Sequence, residues 1–214
     1  MICMTQILYY GSKTYSSSIK KLNEGDYMNL CERCKTNETK VRLEMETNYL
    51  FLCMNCYNAL VAEDFDVDLE QLIESFSLKD YQGVSRTFYV ERRLFPMGLC
   101  LEATENTELG YKFAVLGEIY CDQHALLNKL IQKTQKGIRK QYVKKGIFPN
   151  GQAYNSILND QFIGLIEYDG ESDGTPLVII DGKPFTWEKV GKMLMSYEGF
   201  QIKLEIHDIT DDVE

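Results

Sequence analysis

Residues 31–56 read CERCKTNETKVRLEMETNYLFLCMNC and carry two Cys-x-x-Cys pairs, Cys31 with Cys34 and Cys53 with Cys56. The spacer of eighteen residues between the pairs is long enough for a short hairpin that brings all four sulfurs together. Because each pair aims two thiolates at one point, the spacing predicts a tetrahedral metal site. Four cysteine ligands leave no position for a catalytic water, so we expect a structural Zn²⁺ ion.

The residues around the cysteines predict the local structure. Residues 41–45 alternate apolar and polar side chains, and residues 49–52 follow this pattern only loosely, which predicts two short strands. Residues 57–63 predict a helix that begins at the second cysteine pair. Two alternatives to a metal site are that the four cysteines are simply buried thiols or that one pair is redox-active. Neither pair lies at the strand-to-helix step of a thioredoxin-like βαβ unit, which disfavours the redox alternative. A module this small cannot bury a core, so we expect its folding to depend on metal.

The segments Cys31-Glu-Arg-Cys34 and Leu52-Cys53-Met-Asn-Cys56, with the strand-rich spacer between them, resemble a treble-clef zinc finger. The layout is similar to the zinc-binding module of the ClpX unfoldase family, in which that module mediates dimerisation and adaptor docking. The resemblance covers residues 28–62 and implies a protein-docking finger and a homodimer through it. It does not extend to an ATPase, because the chain has no G-x-x-x-x-G-K-[ST] loop. Residues 180–204 resemble a domain of uncharacterised bacterial proteins, which implies no activity.

Composition places the chain among soluble globular proteins, with 44 % apolar and 26 % charged residues among 214. The sequence has no apolar run that could span a membrane and no secretory signal, so we expect a cytoplasmic protein with reduced thiols. A net charge of −9 disfavours non-specific binding of nucleic acid by the molecule as a whole. The charge is uneven, however, since residues 63–80 are acidic and residues 129–145 are basic.

The basic stretch predicts one charged face on a helix over residues 125–142, because its lysines are spaced by four, three, four and four. These residues are Lys129, Lys133, Lys136, Lys140 and Lys144. Three interpretations stay open. The face is solvated, or it docks on the chain's own acidic segment, or it binds nucleic acid or another acidic partner. The interleaved aromatic residues typical of single-strand binders are missing.

A second Cys/His group offers a weaker metal hypothesis. Cys121 and His124 lie at a predicted strand-to-helix junction, and Cys100 lies on a neighbouring predicted strand. A four-ligand site would need His207, the other histidine of the chain. The favoured interpretation is a buried cysteine and a helix-start histidine that makes local hydrogen bonds. A Cys–His nucleophile pair lacks a third group to orient it.

We predict an α+β fold in which a small treble-clef zinc module precedes a mixed, mainly antiparallel sheet domain with two or three helices. The predicted parts are a flexible N-terminal segment (1–27), the zinc module (28–62), an acidic helical connector (63–83) and the α+β domain (84–214). The connector helix would bury Leu69, Leu72, Ile73 and Phe76. A purine-rich coding stretch for residues 24–28 raises the alternative that Met28 is the native start and that a translated leader precedes it.

Within the domain we predict strands over 86–91, 98–103, 111–120, 162–168, 177–180 and 200–206. Thr186 is predicted to cap a helix over 187–197.

The predicted role is a zinc-binding interaction or regulatory protein of bacterial or phage type, with the finger as a protein-docking surface. The first alternative is a nucleic-acid-binding regulator that uses residues 129–145. The second is a hydrolase with a polar pocket around Asp181, Trp187 and Glu188. No phosphate loop, nucleophile elbow or His-Glu-x-x-His motif occurs, and two histidines limit acid–base chemistry, so we lean against an enzyme.

Overall fold

The computed structural model describes residues 8–10, 13–15, 30–44, 48–170 and 174–213. The predicted flexible segment lies mostly outside these residues, as does the proposed start at Met28. Two short strands fall within that segment, β1 (Leu8–Tyr10) and β2 (Lys13–Tyr15), and they pair antiparallel. Three α-helices and several antiparallel sheets in the described part confirm the α+β class. A search of the same residues found no helix with the length and apolarity that crossing a bilayer requires.

The chain divides into two compact units, and the first contains the cysteine pairs. It comprises residues 1–69, 92–99 and 118–120. Strands β3 (Val41–Glu44) and β4 (Tyr49–Leu52) form the predicted hairpin, and helix α1 (Met54–Phe65) follows it directly. The helix ends at Asp66, which adopts a left-handed φ of 53° while the Val67 amide donates to the carbonyl of Ala62.

Residues far along the chain complete the core of this first unit. Asn58 on α1 is buried, and its side-chain amide donates to the carbonyl of Arg92 at 2.7 Å. The Asn58 side-chain oxygen accepts from the Leu94 amide at 2.9 Å. Leu94 and Leu99 are fully buried. The cysteine module is therefore supported by residues 92–99, which the sequence did not associate with it.

The second unit comprises residues 70–91, 100–117 and 121–214. A four-stranded sheet runs in the order β5 (Ser75–Lys79), β6 (Ser85–Phe95), β7 (Gly98–Glu105) and β8 (Lys112–Gly117). Helix α2 (Gln123–Ile138) packs against β8 through its apolar face. The strands predicted over 86–91, 98–103 and 111–120 are confirmed, and so is the long helix, although it ends four residues earlier than predicted.

The acidic helical connector predicted over 63–83 is wrong. Beyond α1 the chain is irregular to residue 74 and then forms strand β5, so Phe76 lies on a strand and Ile73 is exposed. The residues of β5 alternate serine with apolar side chains, and this period of two fits a strand. Pairing with β6 supplies the backbone bonds and stacks Phe76 on Phe88 with ring centroids 5.6 Å apart. The tertiary partner therefore decides against the helical interpretation.

A buried ion network joins two turns of this sheet. Arg86 on β6 donates from Nε to Asp80 at 2.9 Å and from Nη1 to Glu105 at 2.7 Å. Asp80 also accepts from the Gln82 and Val84 amides. Burial alone would raise the pKa of Asp80, but the Arg86 bond and these amides hold the pKa below its usual value. The network was not predicted, because Arg86 and Glu105 lie nineteen residues apart and meet only in the folded sheet.

The remainder of the second unit contains the elements after α2. A hairpin of β9 (Val143–Ile147) and β10 (Ala153–Ile157) was not predicted. A three-stranded sheet of β11 (Leu165–Glu167), β12 (Leu177–Ile180) and β13 (Lys183–Phe185) confirms the strands predicted over 162–168 and 177–180. Helix α3 (Trp187–Leu194) begins as predicted at Thr186, whose hydroxyl accepts from the Lys189 amide, and a 3₁₀ turn (Met195–Tyr197) extends it.

The strand predicted over 200–206 does not form. The segment joins no ladder with the strands described, and its four apolar side chains are 70–74 % exposed. These residues are Phe200, Ile202, Leu204 and Ile206. Alternation leads to a strand only where another strand pairs with the segment, and no strand among the described residues does so here.

Candidate metal centre

The structure brings the four predicted cysteines into one cluster. Their Sγ atoms all lie within 4.8 Å of one another, and those of Cys34 and Cys53 are 3.9 Å apart. A tetrahedral site with metal–sulfur bonds of about 2.3 Å has sulfur–sulfur edges of about 3.8 Å. The same separation is far too long for a disulfide bond of about 2.05 Å. The cluster therefore has the donor set and the dimensions to hold a metal ion.

A tight turn positions the first pair. The Cys31 amide donates to the carbonyl of Asn37, and the Lys35 amide donates to the carbonyl of Cys31, both at 2.8 Å. The chain closes this turn at Lys35, which has a left-handed φ of 58°. Two further backbone bonds, from Glu32 to Phe51 and from Lys40 to Leu52, fasten the turn to strand β4. The first pair is thereby held beside the start of α1.

The start of helix α1 positions the second pair. Cys53 is the N-cap residue, and its Sγ accepts from the Cys56 amide at 3.5 Å. Cys56 lies in the first turn, so one helical turn presents both sulfurs in the same direction. Cys31 and Cys53 are buried, whereas Cys34 and Cys56 are partly exposed. The site therefore lies at the surface of the first unit with two of its ligands anchored in the core.

Polar neighbours of the sulfurs favour thiolate at the first pair. The Thr36 hydroxyl donates to the Cys34 sulfur at 3.2 Å, and this bond with nearby amides lowers the pKa of Cys34 to about 5. Burial opposes ionisation of Cys31, but hydrogen bonds from backbone amides outweigh it and lower its pKa. Thr36 was not predicted as a hydrogen-bond donor to the Cys34 sulfur. Its position two residues after Cys34 is the feature of the sequence that could have indicated this bond.

The fourth cysteine of the cluster, Cys56, is the one whose ionisation a bound cation would assist. Burial raises the pKa of Cys56 to about 12, and the adjacent sulfurs add to the shift. Without a cation, the close sulfurs repel one another as thiolates and one retains its proton. A divalent cation removes that repulsion and allows all four to bind as thiolates. The residues present therefore fit a metal ion.

The left-handed residue of the turn gives a direct test. Replacing Lys35 by glycine should strengthen metal binding about threefold, because glycine adopts a positive φ without the steric cost borne by other residues. Lys35→Ala is the matched control, since it removes the same exposed side chain but keeps the steric cost. Competition with a chromophoric chelator measures both affinities. Equal metal affinities for the two variants would show that the positive φ at residue 35 does not weaken metal binding.

The second Cys/His group is not assembled in the same way. Among the residues described, the four-cysteine cluster is the one group with ligand atoms close enough for a metal. His124 is exposed and lies 3.4 Å from Glu70, and His207 belongs to the exposed segment after α3. Cys100 and Cys121 are partly exposed. His124 lies in the first turn of α2 as expected, but its partner Glu70 is distant in the chain and Cys121 is not buried, so the interpretation as a buried cysteine beside a locally bonded histidine does not hold.

The five lysines of the predicted basic face lie on different elements. Lys129, Lys133 and Lys136 lie on α2, Lys140 follows its end, and Lys144 lies on β9. Helix α2 ends at Ile138, so a single helical face through all five is wrong.

The most buried of these lysines is already engaged by the chain itself. Lys133 donates from Nζ to the carbonyls of Ile209 and Asp211 at 2.9 and 2.6 Å. Its ammonium also lies 3.8 Å from the Asp212 carboxylate. Burial lowers the pKa of Lys133, and the acidic residues around it oppose that shift. Lys133 of the basic stretch thus binds the C-terminal residues Ile209, Asp211 and Asp212.

The residues suggested for a hydrolase have structural partners. Asp181 is buried, and its carboxylate accepts from the amides of Tyr142 and Val143 at 2.8–3.1 Å. Burial raises the pKa of Asp181, and these amides oppose the shift. Glu188 is exposed and binds Lys192 one helical turn later, and Trp187 is partly exposed at the start of α3. Because Asp181 is already bonded to the backbone, its carboxylate is poorly suited to act as a general base.

Three family models match successive parts of the chain. Residues 30–68 match a domain of unknown function (DUF7685), residues 63–139 match a second (DUF7686), and residues 142–211 match a third (DUF7713). A search of curated proteins found no match, and a search of solved structures found none either. The first of these domains contains all four cysteines of the cluster. A functional argument for this chain therefore depends on the chemistry of its own residues.

Proposed function

We propose that the protein binds one Zn²⁺ ion through Cys31, Cys34, Cys53 and Cys56, and that this zinc finger of treble-clef type is a docking surface for a protein partner. The observation that carries the proposal is the cluster of four sulfurs within 4.8 Å, built from a tight turn and a helix start. Tetrahedral thiolate coordination is typical of zinc, with iron as the main competitor.

A structural role for the ion follows from the donor set. Four thiolates complete a tetrahedral shell, so no position remains for a water that the metal could activate. The ion would instead cross-link the turn, the β3–β4 hairpin and the start of α1. Val41, Leu43 and Leu52 are buried beside these elements and would be held in place by the same cross-link. Metal and folding are therefore expected to be coupled.

The docking role is supported by apolar side chains that the finger leaves in solvent. Leu30 is 53 % exposed beside the first cysteine pair, and Tyr49 is 47 % exposed on β4. The Arg42 guanidinium lies 4.7 Å from the centre of the Tyr49 ring, so an arginine and a tyrosine are presented together. Aromatic residues and arginines are the side chains most enriched at protein interfaces. A homodimer through this module is one form that the docking could take.

The test compares partner capture by the zinc-loaded full chain with capture by two double variants. Leu30→Ser with Tyr49→Ser should lose the partner captured by the wild type while it retains one equivalent of metal. The matched control changes two exposed apolar residues elsewhere, Met195→Ser with Tyr168→Ser, and should retain the partner. If both variants capture the partner as the wild type does, docking through the finger is wrong.

A mobility-shift assay with a salt titration tests the alternative that residues 129–145 bind nucleic acid. Lys133 is occupied within the chain and the lysines do not share one helix, so we expect no shift of DNA or RNA even at low salt. A shift at low salt that disappears as salt is raised would instead support phosphate contacts by residues 129–145.

A further inference from the structure

Residues 200–207, here called the unpaired segment, present an apolar face that no part of the described chain covers. Phe200, Ile202, Leu204 and Ile206 alternate with polar residues, and each is at least 70 % exposed. This alternation predicts a half-buried strand, with one face packed against a partner and the other in solvent. The pattern and the exposure together indicate a partner strand that the described residues of this chain do not supply.

The unpaired segment is held at both ends within the second unit. On its N-terminal side the Phe200 amide donates to the carbonyl of Tyr197, and the Tyr197 hydroxyl donates to Asp160, both at 2.9 Å. On its C-terminal side Lys133 binds the carbonyls of Ile209 and Asp211. A segment that is fixed at its ends and joins no ladder with the described strands can offer its backbone donors and acceptors to a second strand. Exposed edges of this kind readily pair with another chain.

The polar face shows which partner fits. Lys203 and Glu205 lie on the same face, and their charged groups are 2.7 Å apart. Suppose that a second copy pairs antiparallel about a two-fold axis through Leu204. Lys203 then lies opposite Glu205 of the partner subunit, and Glu205 lies opposite Lys203 of the partner subunit. The four charges then alternate in sign around a square. The same register places Ile202 opposite Ile206 of the partner subunit and Leu204 opposite the partner's Leu204.

Other registers are less favourable. A two-fold axis through Lys203 places two lysines opposite each other, and an axis through Glu205 places two glutamates opposite each other, which is destabilising. A shift by one residue turns the apolar side chains of one strand to the polar face of the other. Parallel pairing in register brings like charges together along the whole polar face. Among the registers compared, the antiparallel register centred on Leu204 is therefore the one that pairs both charges of each strand with opposite charges.

We propose that the unpaired segment forms an antiparallel two-fold strand pair with a second copy of this chain, centred on Leu204. Such isologous contacts are the commonest basis of homodimers. The paired segments are short compared with a standard interface, so the dimer is weak and depends on concentration. The surface is separate from the cysteine cluster. Dimerisation through it should therefore persist when metal is removed, unlike dimerisation through the zinc finger.

A charge-exchange experiment tests the register. Sedimentation equilibrium of the metal-loaded full chain, from about 1 to about 100 µM, should show a monomer–dimer equilibrium. Lys203→Glu alone and Glu205→Lys alone should each weaken it about tenfold or more, because like charges then face each other twice. The double exchange, Lys203→Glu with Glu205→Lys, should restore it. An equimolar mixture of the two single variants should form a heterodimer, since all facing charges are again opposite.

Cross-linking gives an independent test of the two-fold centre. With Leu204→Cys, the two introduced thiols lie directly opposite, within the range of about 4.4–6.8 Å between Cα atoms that a disulfide allows. With Ile202→Cys, the two thiols are separated by four residues along the strands, about 13 Å. Mild oxidation should therefore cross-link the first variant and not the second, with the wild type as the baseline for native thiols.

Several results would overturn the proposal. These are a wild type that stays monomeric over the whole range, equal dimerisation of all charge variants, or equal cross-linking at positions 204 and 202. A monomer whose residues 201–207 are protected from hydrogen exchange would show that the chain covers its own segment. A dimer that is abolished by a chelator and insensitive to the charge exchanges would assign dimerisation to the zinc finger instead.

Discussion

Replacing Cys53 by serine should reduce metal affinity by more than about 100-fold and leave the purified protein with far less than one equivalent of zinc. Cys53 has two roles in the structure, since its sulfur lies 3.9 Å from that of Cys34 and also caps helix α1. We expect amides of residues 30–52 to lose their protection from hydrogen exchange. Helix α1 should retain part of its protection, because Asn58 bonds it to residues 92–94.

Elemental analysis and hydrogen exchange with mass spectrometry measure the two effects. Cys121→Ser is the matched control, because it removes a thiol outside the cluster and should leave one equivalent of metal. A lower metal content in that control would revive the second site at Cys100, Cys121, His124 and His207. A Cys53→Ser protein with a full equivalent of metal and unchanged protection would contradict the proposed site. Chelation of the wild type should reproduce the exchange pattern of the variant.

Replacing Arg86 by methionine should destabilise the protein by about 3–5 kcal/mol, which lowers Tm by about 10 °C. The Arg86 side chain is 18 % exposed, and those of Asp80 and Glu105 are at most 5 % exposed. The variant keeps the volume of the side chain but leaves two buried carboxylates without a cation. Lys192→Met is the control, because Lys192 and Glu188 form a fully solvated pair whose loss should leave Tm unchanged. Calorimetry of the metal-loaded proteins measures both.

The pH dependence of the two proteins gives a second readout of the same network. In the wild type the pKa of Asp80 is lower in the folded state than in the unfolded state. Its contribution to stability is therefore present above about pH 4 and is lost as pH falls through the folded pKa. In Arg86→Met the buried carboxyl no longer faces a cation, so burial raises its pKa. The difference in stability between Arg86→Met and the wild type should therefore become smaller as the pH falls. A difference that does not depend on pH would show that the variant is destabilised mainly by lost packing.

The cysteine site was predictable because its information is local. Two residues of spacing within each pair and a hairpin-length spacer between the pairs are enough to specify a four-sulfur cluster, and β3, β4 and α1 follow the predicted pattern. The Thr186 cap is a local signal of the same kind. Polar partners of the sulfurs, such as Thr36, were within reach of the sequence but carried no distinctive pattern.

Three features depended on contacts that no local pattern contains. Asn58 bonds to Arg92 and Leu94, so the cysteine module draws support from residues far along the chain. Phe76 joins a strand because β6 offers an edge, although the spacing of its apolar neighbours also suited a helix. Arg86 meets Asp80 and Glu105 only when β6 and β7 have formed.

The chain by itself determined its α+β class, the four cysteines that cluster and most strands and helices, because these depend on spacing, periodicity and caps over a few residues. Three features were decided by tertiary structure alone. Residues 66–74 are not helical, Lys133 binds the C-terminal carbonyls, and residues 200–207 pair with none of the described strands. Alternation of side chains shows that a strand has two different faces, but the backbone pairs only where another strand leaves its donors and acceptors free.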